Sequence, residues 1–322
     1  MLPPFSYHAP DSLADATALL ASPGAAPMGG GTDLLVCMKE GLARPGSLVD
    51  LRRLPDARAV TELPDGGVRL GAGVRVGDLA AHPLMRERYP ALAEAAAAVG
   101  TRALRTMGTL GGNLCQRPRC WYFRRDVPCL KNGGDSCPAR DGENQYHAVL
   151  DGGPCWIVHP SDPAVALTAL EAVVEIAGPG ARTRTLPIAE LYVLPSERLD
   201  RETALEAGEI ISAVELPAIA AGGVQRYYKV MQRGAWDFAL VSLAAARRSD
   251  GEVRLVLGGV APRPYRVYGS IEEDAAVGNL DAQDVETLAA RALYDAAPLG
   301  KNGYKVAMAE ALVRRGIRDL WS

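Results

Sequence analysis

The spacing of apolar and polar residues changes character several times along the chain. From Asp11 to Leu20 (DSLADATALL) the apolar positions repeat with a helical period, and Asp11 or Ser12 stands where an N-cap is needed. A Pro/Gly-rich turn, SPGAAP, leads into Met28–Leu35 (MGGGTDLL), and Asp33–Gly41 predicts a short helix that stops at Gly41. Ser47–Asp50 predicts a strand, and the alternation of Val68–Val76 (VRLGAGVRV) predicts another. His82–Gly100 is alanine-rich and predicts one helix, followed by the glycine-rich Thr106–Asn113 (TMGTLGGN). Leu114–Pro154 shows no period and holds charges, turns and most of the cysteines, so it reads as an irregular insert. Ala164–Ala172 then predicts a buried helix, with strands at Val173–Ile176 and Ile210–Leu216. The Ala/Gly-rich Pro217–Gly223 reads as a domain boundary. Beyond it come a strand at Arg226–Val230, a helix at Phe238–Ala246, a strand at Val253–Leu257, and helices at Ala282–Leu293 and Lys301–Arg315.

A chain of 322 residues fits about two domains. Lys+Arg number 35 and Asp+Glu 38, a net charge of −3, so the electrostatic footprint of a nucleic-acid or anionic-membrane binder is missing. No run of 18 apolar residues predicts a membrane span. The segment MLPPFSYHAP has neither a basic nor an apolar signal region. The expected location is cytoplasmic, or periplasmic if a partner chain carries the export signal.

The candidate chemistry lies in glycine loops and cysteines. Gly29-Gly30-Gly31-Thr32 precedes a helix, a setting in which backbone N–H groups can approach a phosphate without an intervening Cβ. Thr109-Leu110-Gly111-Gly112-Asn113 is a second such loop, and two loops can grip two parts of a pyrophosphate. The Rossmann spacing fails, because its third glycine falls on Leu34 or Val76. The P-loop fails too: Gly300-Lys301 is followed by Asn302, and Asp295 stands where an earlier glycine is required. Of the cysteines, Cys37 lies apart on the second predicted helix and five cluster from Cys115 to Cys155. Cys120, Cys129, Cys137 and Cys155 are separated by 8, 7 and 17 residues. Zinc knuckles and ferredoxins use tighter pairs, so spacing points to a metal site and leaves the metal open.

The motifs taken in order resemble a known family. MGGGTDLL, TLGGN, Pro160–Ala166 (PSDPAVA), Lys229–Val241 (KVMQRGAWDFALV) and Gly258–Tyr265 (GGVAPRPY) are similar to the flavin-binding medium subunit of the molybdenum hydroxylases, the xanthine dehydrogenase, carbon monoxide dehydrogenase and aldehyde oxidoreductase family. The resemblance covers nearly the whole chain. It implies an α+β, non-Rossmann FAD fold of the vanillyl-alcohol-oxidase/CO-dehydrogenase flavoprotein type. The expected parts are subdomain 1 at 1–55, subdomain 2 at 56–218 with the insert at about 114–156, and a C-terminal α+β domain at 219–322.

The resemblance also implies roles. Met28, Gly29, Gly30, Gly31, Thr32 and Asp33 would hold the FAD pyrophosphate and its surroundings, and Thr109, Gly112 and Asn113 would form the second loop. Asp162 would reach the adenosine or ribityl part. Ile210 or Ile211 would line the flavin pocket, and Lys229 and Asp237 would sit near the isoalloxazine. Read alone, Lys229 is a solvated strand lysine and Asp162 a turn residue. The insert resembles that of a subset, including 4-hydroxybenzoyl-CoA reductase and bacterial aldehyde oxidoreductases, whose loop after TLGGN binds a [4Fe–4S] cluster. This implies Cys120, Cys129, Cys137 and Cys155 as ligands, with Trp121-Tyr122-Phe123 as a shield. Cys115 and Cys37 are expected to be core residues, His147 a surface residue and His159 structural. The chain would pass electrons from a molybdenum-cofactor large subunit and a [2Fe–2S] small subunit through FAD to an external acceptor. Two alternatives are a zinc-stabilised interaction protein without flavin and a self-contained flavin oxidase.

Overall fold

The computed structural model describes residues 2–234 and 236–322; Met1, and Ala235 within the Lys229–Val241 motif, lie outside the described residues. The first elements are β1 (Ser6–His8), α1 (Leu13–Leu20), β2 (Ala25–Met28), α2 (Leu34–Lys39) and β3 (Ser47–Asp50). The strands pair in parallel in the order β1-β3-β2. Ser12 is the N-cap of α1, its hydroxyl accepting the Asp15 N–H at 3.0 Å.

Asp50 ties this sheet together. Its carboxylate accepts the Tyr7 hydroxyl at 2.5 Å and Arg52 Nη2 at 2.7 Å. Burial alone would raise its pKa, but the Arg52 fork and the Tyr7 hydroxyl outweigh burial and bring it down to about 2. The native value lies below the unfolded one, so the stabilisation is present above pH 4 and is lost as the pH falls toward 2. The Asp50 side chain is 3% exposed but Arg52 is 35% exposed, so solvent screens part of the pair. Asp50→Asn should cost about 1 kcal/mol at pH 7. In urea denaturation the gap to the parent should narrow below about pH 4, and a gap unchanged down to pH 3 would contradict the assignment.

A five-stranded antiparallel sheet follows, beginning with β4 (Val60–Glu62) and β5 (Val68–Gly71). The alternating run is strand only to Gly71, and Val76 already opens α3 (Val76–Ala81). The single helix expected over His82–Gly100 is divided into α4 (Pro83–Arg88) and α5 (Pro90–Ala97). Each proline lacks an N–H and drives the residue before it out of the helical region: His82 has ψ 125° and Tyr89 ψ 55°. The glycine-rich stretch carries α6 (Arg102–Met107) and α7 (Leu110–Leu114). The insert is irregular apart from the single turn α8 (Trp121–Arg124). Then come α9 (Asp162–Ala169), β6 (Val173–Gly178), β7 (Arg182–Pro187) and β8 (Ile210–Leu216), completing the order β4-β5-β8-β6-β7.

The C-terminal part is an antiparallel sheet of β9 (Val224–Val230), β10 (Val241–Arg247), β11 (Val253–Gly258) and β12 (Tyr265–Arg266), with α10 (Gly269–Ala276), α11 (Ala282–Ala292) and α12 (Tyr304–Asp319). The helix expected at Phe238–Ala246 is instead β10. Alanine favours helix locally, but this segment has both faces covered, and its backbone is paired on both sides, with β9 and β11. A strand buried on both faces loses the polar alternation that would identify it.

Helix α9 is buried along its whole length, between α5 on one side and β10 and β11 on the other. Its Val165 and Leu167 share one apolar core with Val214 of β8 and with Ala244 and Val256 of the C-terminal sheet. A second core lies between that sheet and α10, α11 and α12. A smaller one joins Ala16 and Val49 to Ala177 and Ile210. These contacts bring the start of α9 to the junction where the glycine loops meet β9.

Candidate functional site

Strand β2 ends at Met28 and delivers Gly29–Asp33 against the loop between α6 and α7. The approach is backbone to backbone. A Cβ on Gly29 would strike Thr109 Oγ1, and one on Gly30 would strike the Met107 carbonyl oxygen. Gly31 has φ +71°, a conformation glycine adopts without steric cost. Gly30 is therefore required by backbone contact between the loops, and Gly29 by contact with the Thr109 side chain unless that side chain moves. Thr109 caps α7, its hydroxyl accepting the Gly112 N–H at 3.3 Å.

Two cavities meet at this glycine waist, of about 480 and 370 Å³, and both are lined by Gly29, Thr109 and Gly112. The larger runs along Gly29–Asp33, past Asn113 and Gly100, to Asp162, Lys229 and Asp237. The smaller runs the other way, past Leu51, Pro55 and Ala72 to Ile210, Ile211 and Ser212. Ile210 and Ile211 are thus across the waist from Lys229, and Asp162 shares the Lys229 lobe. Met28 lines neither cavity; its side chain packs with Met38 and Leu48 behind the loop.

At the far end of the larger cavity, Lys229 Nζ donates to Asp162 Oδ2 at 2.8 Å and to the Ala98 carbonyl at 2.9 Å. Tyr227 donates its hydroxyl to Asp162 Oδ1 at 2.6 Å. Side-chain exposure is 5% for Lys229 and 7% for Asp162, so Lys229 is not the solvated strand residue that local sequence suggests, and Asp162 is a buried residue opening α9 rather than an ordinary turn residue. Burial pushes the Asp162 carboxyl up, against the lowering influence of Lys229 and Tyr227. Asp162 is held by the fold of α9, whose N-cap Ser161 donates to Asn113 Oδ1 at 2.5 Å. The second glycine loop and the PSDPAVA motif are therefore locked together. Asp237 lines the same cavity and pairs with Arg233 at 3.4 Å.

The arrangement fits FAD. A dinucleotide needs two lobes with a narrow, Cβ-free waist between them for its diphosphate, and this is what Gly29, Gly30 and Gly112 leave. Arg117, Arg119 and Lys229 line the larger lobe, each paired with a carboxylate (Glu202, Asp33 and Asp162), so the lobe's acidic residues are neutralised rather than left to repel an anionic ligand. None of the arginines was singled out from the sequence. The run QRPRCWYFRR shows their charge but no periodicity that names their partners.

Cys137 and Cys155 are neighbours whose thiols influence one another, Cys155 lowering the pKa of Cys137 to about 6 and Cys137 raising that of Cys155. Burial pushes Cys120 up to about 11, with Cys137 and Cys129 adding to the rise. Cys115 is apart from them: half-buried, it lines both cavities at the glycine waist, and desolvation raises its pKa to about 12. Cys37 faces Arg124, with 2.9 Å between Sγ and Nη1. Among the described residues no three His, Cys, Asp or Glu side chains converge tightly enough to hold a single metal ion. His147 is not the surface residue expected. It is buried, its Nε2 is 3.2 Å from Cys120 Sγ, and burial lowers its pKa to about 4. Its position is held through α12, where the fully buried Lys305 donates to the carbonyls of Tyr146 (2.9 Å) and His147 (3.0 Å). His159 is structural, its ring against Tyr192 at 4.3 Å.

Comparison with known proteins agrees with this geometry. Residues 3–219 match the family described as "FAD binding domain in molybdopterin dehydrogenase" and residues 226–320 that described as "CO dehydrogenase flavoprotein C-terminal domain". The chain is 41% identical over 317 residues to the aldehyde oxidoreductase FAD-binding subunit PaoB of Escherichia coli, covering 95% of each. It is 30% identical over 335 residues to the carbon monoxide dehydrogenase medium chain of Hydrogenophaga pseudoflava, covering 100% of this chain and 99% of that one. A solved structure of carbon monoxide dehydrogenase from Hydrogenophaga pseudoflava superposes with a TM-score of 0.75 at 27% identity, covering 100% of this chain and 98% of the other. The glycine waist, the two-lobed cavity and these matches lead to one conclusion: this chain belongs to the FAD-binding medium subunits of the molybdenum hydroxylases, an oxidoreductase flavoprotein family with a non-Rossmann α+β fold.

Proposed function

We propose that this chain is the electron-transfer flavoprotein of an aldehyde-oxidising molybdenum complex. In this reading it works with a molybdenum-cofactor large subunit and a [2Fe–2S] small subunit, and passes their electrons through FAD to an external acceptor. The observation that carries it is the pair of cavities joined at the glycine waist, with the buried Asp162–Lys229 pair at the end of one lobe. The FAD diphosphate belongs at Gly29–Thr32, Thr109, Gly112 and Asn113. The isoalloxazine lies toward Lys229 and Asp237, with Asp162 in the same lobe toward the ribityl part. Ile210 and Ile211, expected to line the flavin pocket, lie across the waist from Lys229 and so face the other end of the dinucleotide. Bound FAD supplies the exchange between one-electron and two-electron steps. The chain's own contribution is electrostatic. Asp162 and the Ala98 carbonyl fix the Lys229 ammonium in one place, where its charge favours added negative charge on the neighbouring ring. The aldehyde class follows the PaoB relative, whose name states that activity.

The insert carries a [4Fe–4S] cluster on Cys120, Cys129, Cys137 and Cys155. The resemblance of the insert supports the set, and two links agree with it: Cys120 is influenced by Cys137 and Cys129, and Cys137 by Cys155; Cys115, which lines the two cavities, is not in it. The parts read as 1–55, 56–218 and 219–322, the compartment as cytoplasmic or, with an exported partner, periplasmic. No helix among the described residues is long and apolar enough to cross a membrane.

Anaerobic purification followed by absorbance, flavin and metal assays tests this reading. The expected content is about one FAD and about four irons per chain. Serine at Cys120, Cys129, Cys137 or Cys155 should each lower iron, and Cys115→Ser should leave it unchanged. Zinc in place of iron would overturn the cluster, and absence of flavin from the chain purified with its partners would overturn the whole reading.

A further inference from the structure

Asp33 is the first residue after the glycine loop, yet its carboxylate does not face the waist unpartnered. It accepts the Arg117 backbone N–H at 2.7 Å, Arg119 Nη1 at 2.6 Å and Arg124 Nη2 at 2.9 Å. All three donors come from the cysteine insert, 84 to 91 residues away in sequence. The contact is largely shielded from water, with side-chain exposures of 14% for Asp33 and 13% for Arg124. Asp33 has its pKa lowered because the two guanidiniums and the Arg117 N–H outweigh the effect of burial. The same arginines organise the insert's first turn. Arg124 donates to the carbonyls of Pro118 (2.7 Å) and Arg117 (3.0 Å), and Arg119 to Gln116 Oε1 at 2.9 Å. Cys120 is the next residue after Arg119 and caps α8.

We propose that Asp33 is a positioning residue that couples the cysteine insert to flavin binding. Through Asp33 the folded insert holds the glycine loop in its cofactor-ready form, and bound flavin, by fixing that loop, holds the insert. The proposal rests on the reading that the FAD diphosphate lies at the glycine waist. A carboxylate beside a diphosphate repels it; one neutralised by two guanidiniums does not. If the network sets the affinity of the loop for FAD, linkage requires FAD in turn to stabilise the insert by the same free energy.

The test uses the full chain with FAD as the probe. Affinity is read from flavin fluorescence, and insert order from hydrogen exchange of residues 115–150 with and without FAD. In the parent, FAD should slow exchange in the insert. In Asp33→Asn, FAD should bind roughly tenfold more weakly, and added at saturation it should no longer slow exchange there. Asp33→Glu should restore part of both. Arg119→Gln removes one arm of the network and serves if Asp33→Asn does not fold. Combined with Asp33→Asn it should add less than its separate effect, because both act on one contact. Unchanged affinity in Asp33→Asn, or insert protection by FAD as in the parent, would overturn the coupling. Gly112→Val keeps the two failures apart: if it binds FAD normally, the waist reading fails instead.

Discussion

Replacing Gly30 by alanine should give a chain that is destabilised and purifies without flavin. The added Cβ would overlap the Met107 carbonyl oxygen and lie 2.5 Å from the carbonyl carbon and 3.0 Å from Gly108 Cα. These are backbone atoms, so no side-chain rotation relieves the clash, and the two loops must separate. Overpacking of this kind costs about 3 kcal/mol, and here the strain falls on the surfaces that would grip the diphosphate. Gly112→Ala is the contrast. Its Cβ would meet only Thr109 Oγ1, at 2.9 Å, a side-chain atom that can shift by a few tenths of an ångström at the expense of its cap to the Gly112 N–H. Denaturant melts and flavin content after purification should separate the two variants, Gly30→Ala losing both stability and flavin and Gly112→Ala keeping most of its stability. A Gly30→Ala chain that melts and binds flavin like the parent would show that the loops do not need their close contact.

Lys229→Met should be the most damaging change at the other end of the cavity. It leaves Asp162 buried with Tyr227 as its remaining polar partner. Removing one member of a buried ion pair costs about 3–5 kcal/mol, most of it from the stranded charge. The pH dependence follows in sign. Burial already holds the Asp162 pKa above its ordinary value, and loss of Lys229 removes a lowering influence. A carboxyl whose native pKa exceeds its unfolded one contributes stability below the unfolded pKa, and loses it as the pH rises through the native pKa. The Lys229→Met deficit should therefore be largest at neutral pH and shrink as the pH falls toward 4. Adding Asp162→Asn should recover much of the stability, because no charge is then left unpaired, but it should not recover flavin affinity. Denaturation at pH 7 and pH 5, with flavin titration of the double variant, checks all three. A Lys229→Met chain as stable as the parent at pH 7 would mean the pair is not buried as described.

Much of this site could be read from local sequence. Gly29–Thr32 and Thr109–Asn113 announce themselves because tight turns with bare backbone need glycine in consecutive positions. The buried helix was legible as an apolar run at Ala164–Ala172; in the structure α9 spans Asp162–Ala169, starting two residues earlier behind its Ser161 cap. The five motifs in order carried the family, and with it the FAD fold, before any distance was known.

Other features depended on residues far apart in the chain. Strand β10 has the composition of a helix, and only pairing with β9 and β11 makes it a strand. Lys229 looks solvated until α9 brings Asp162 to it across 67 positions. His147 looks like a surface residue until Lys305 of α12 gathers the insert's carbonyls. Asp33 shows the difference most clearly. Sequence placed it beside the phosphate loop, but its three partners lie on the insert. Composition, period and turn chemistry are properties of neighbours along the chain, so they decide which elements form and where the glycine loops stand. Which charges meet, which side of a strand is buried and which thiols face one another are set by packing between distant segments. The free energy of those choices is shared among all the residues in contact, so no short stretch of sequence contains it.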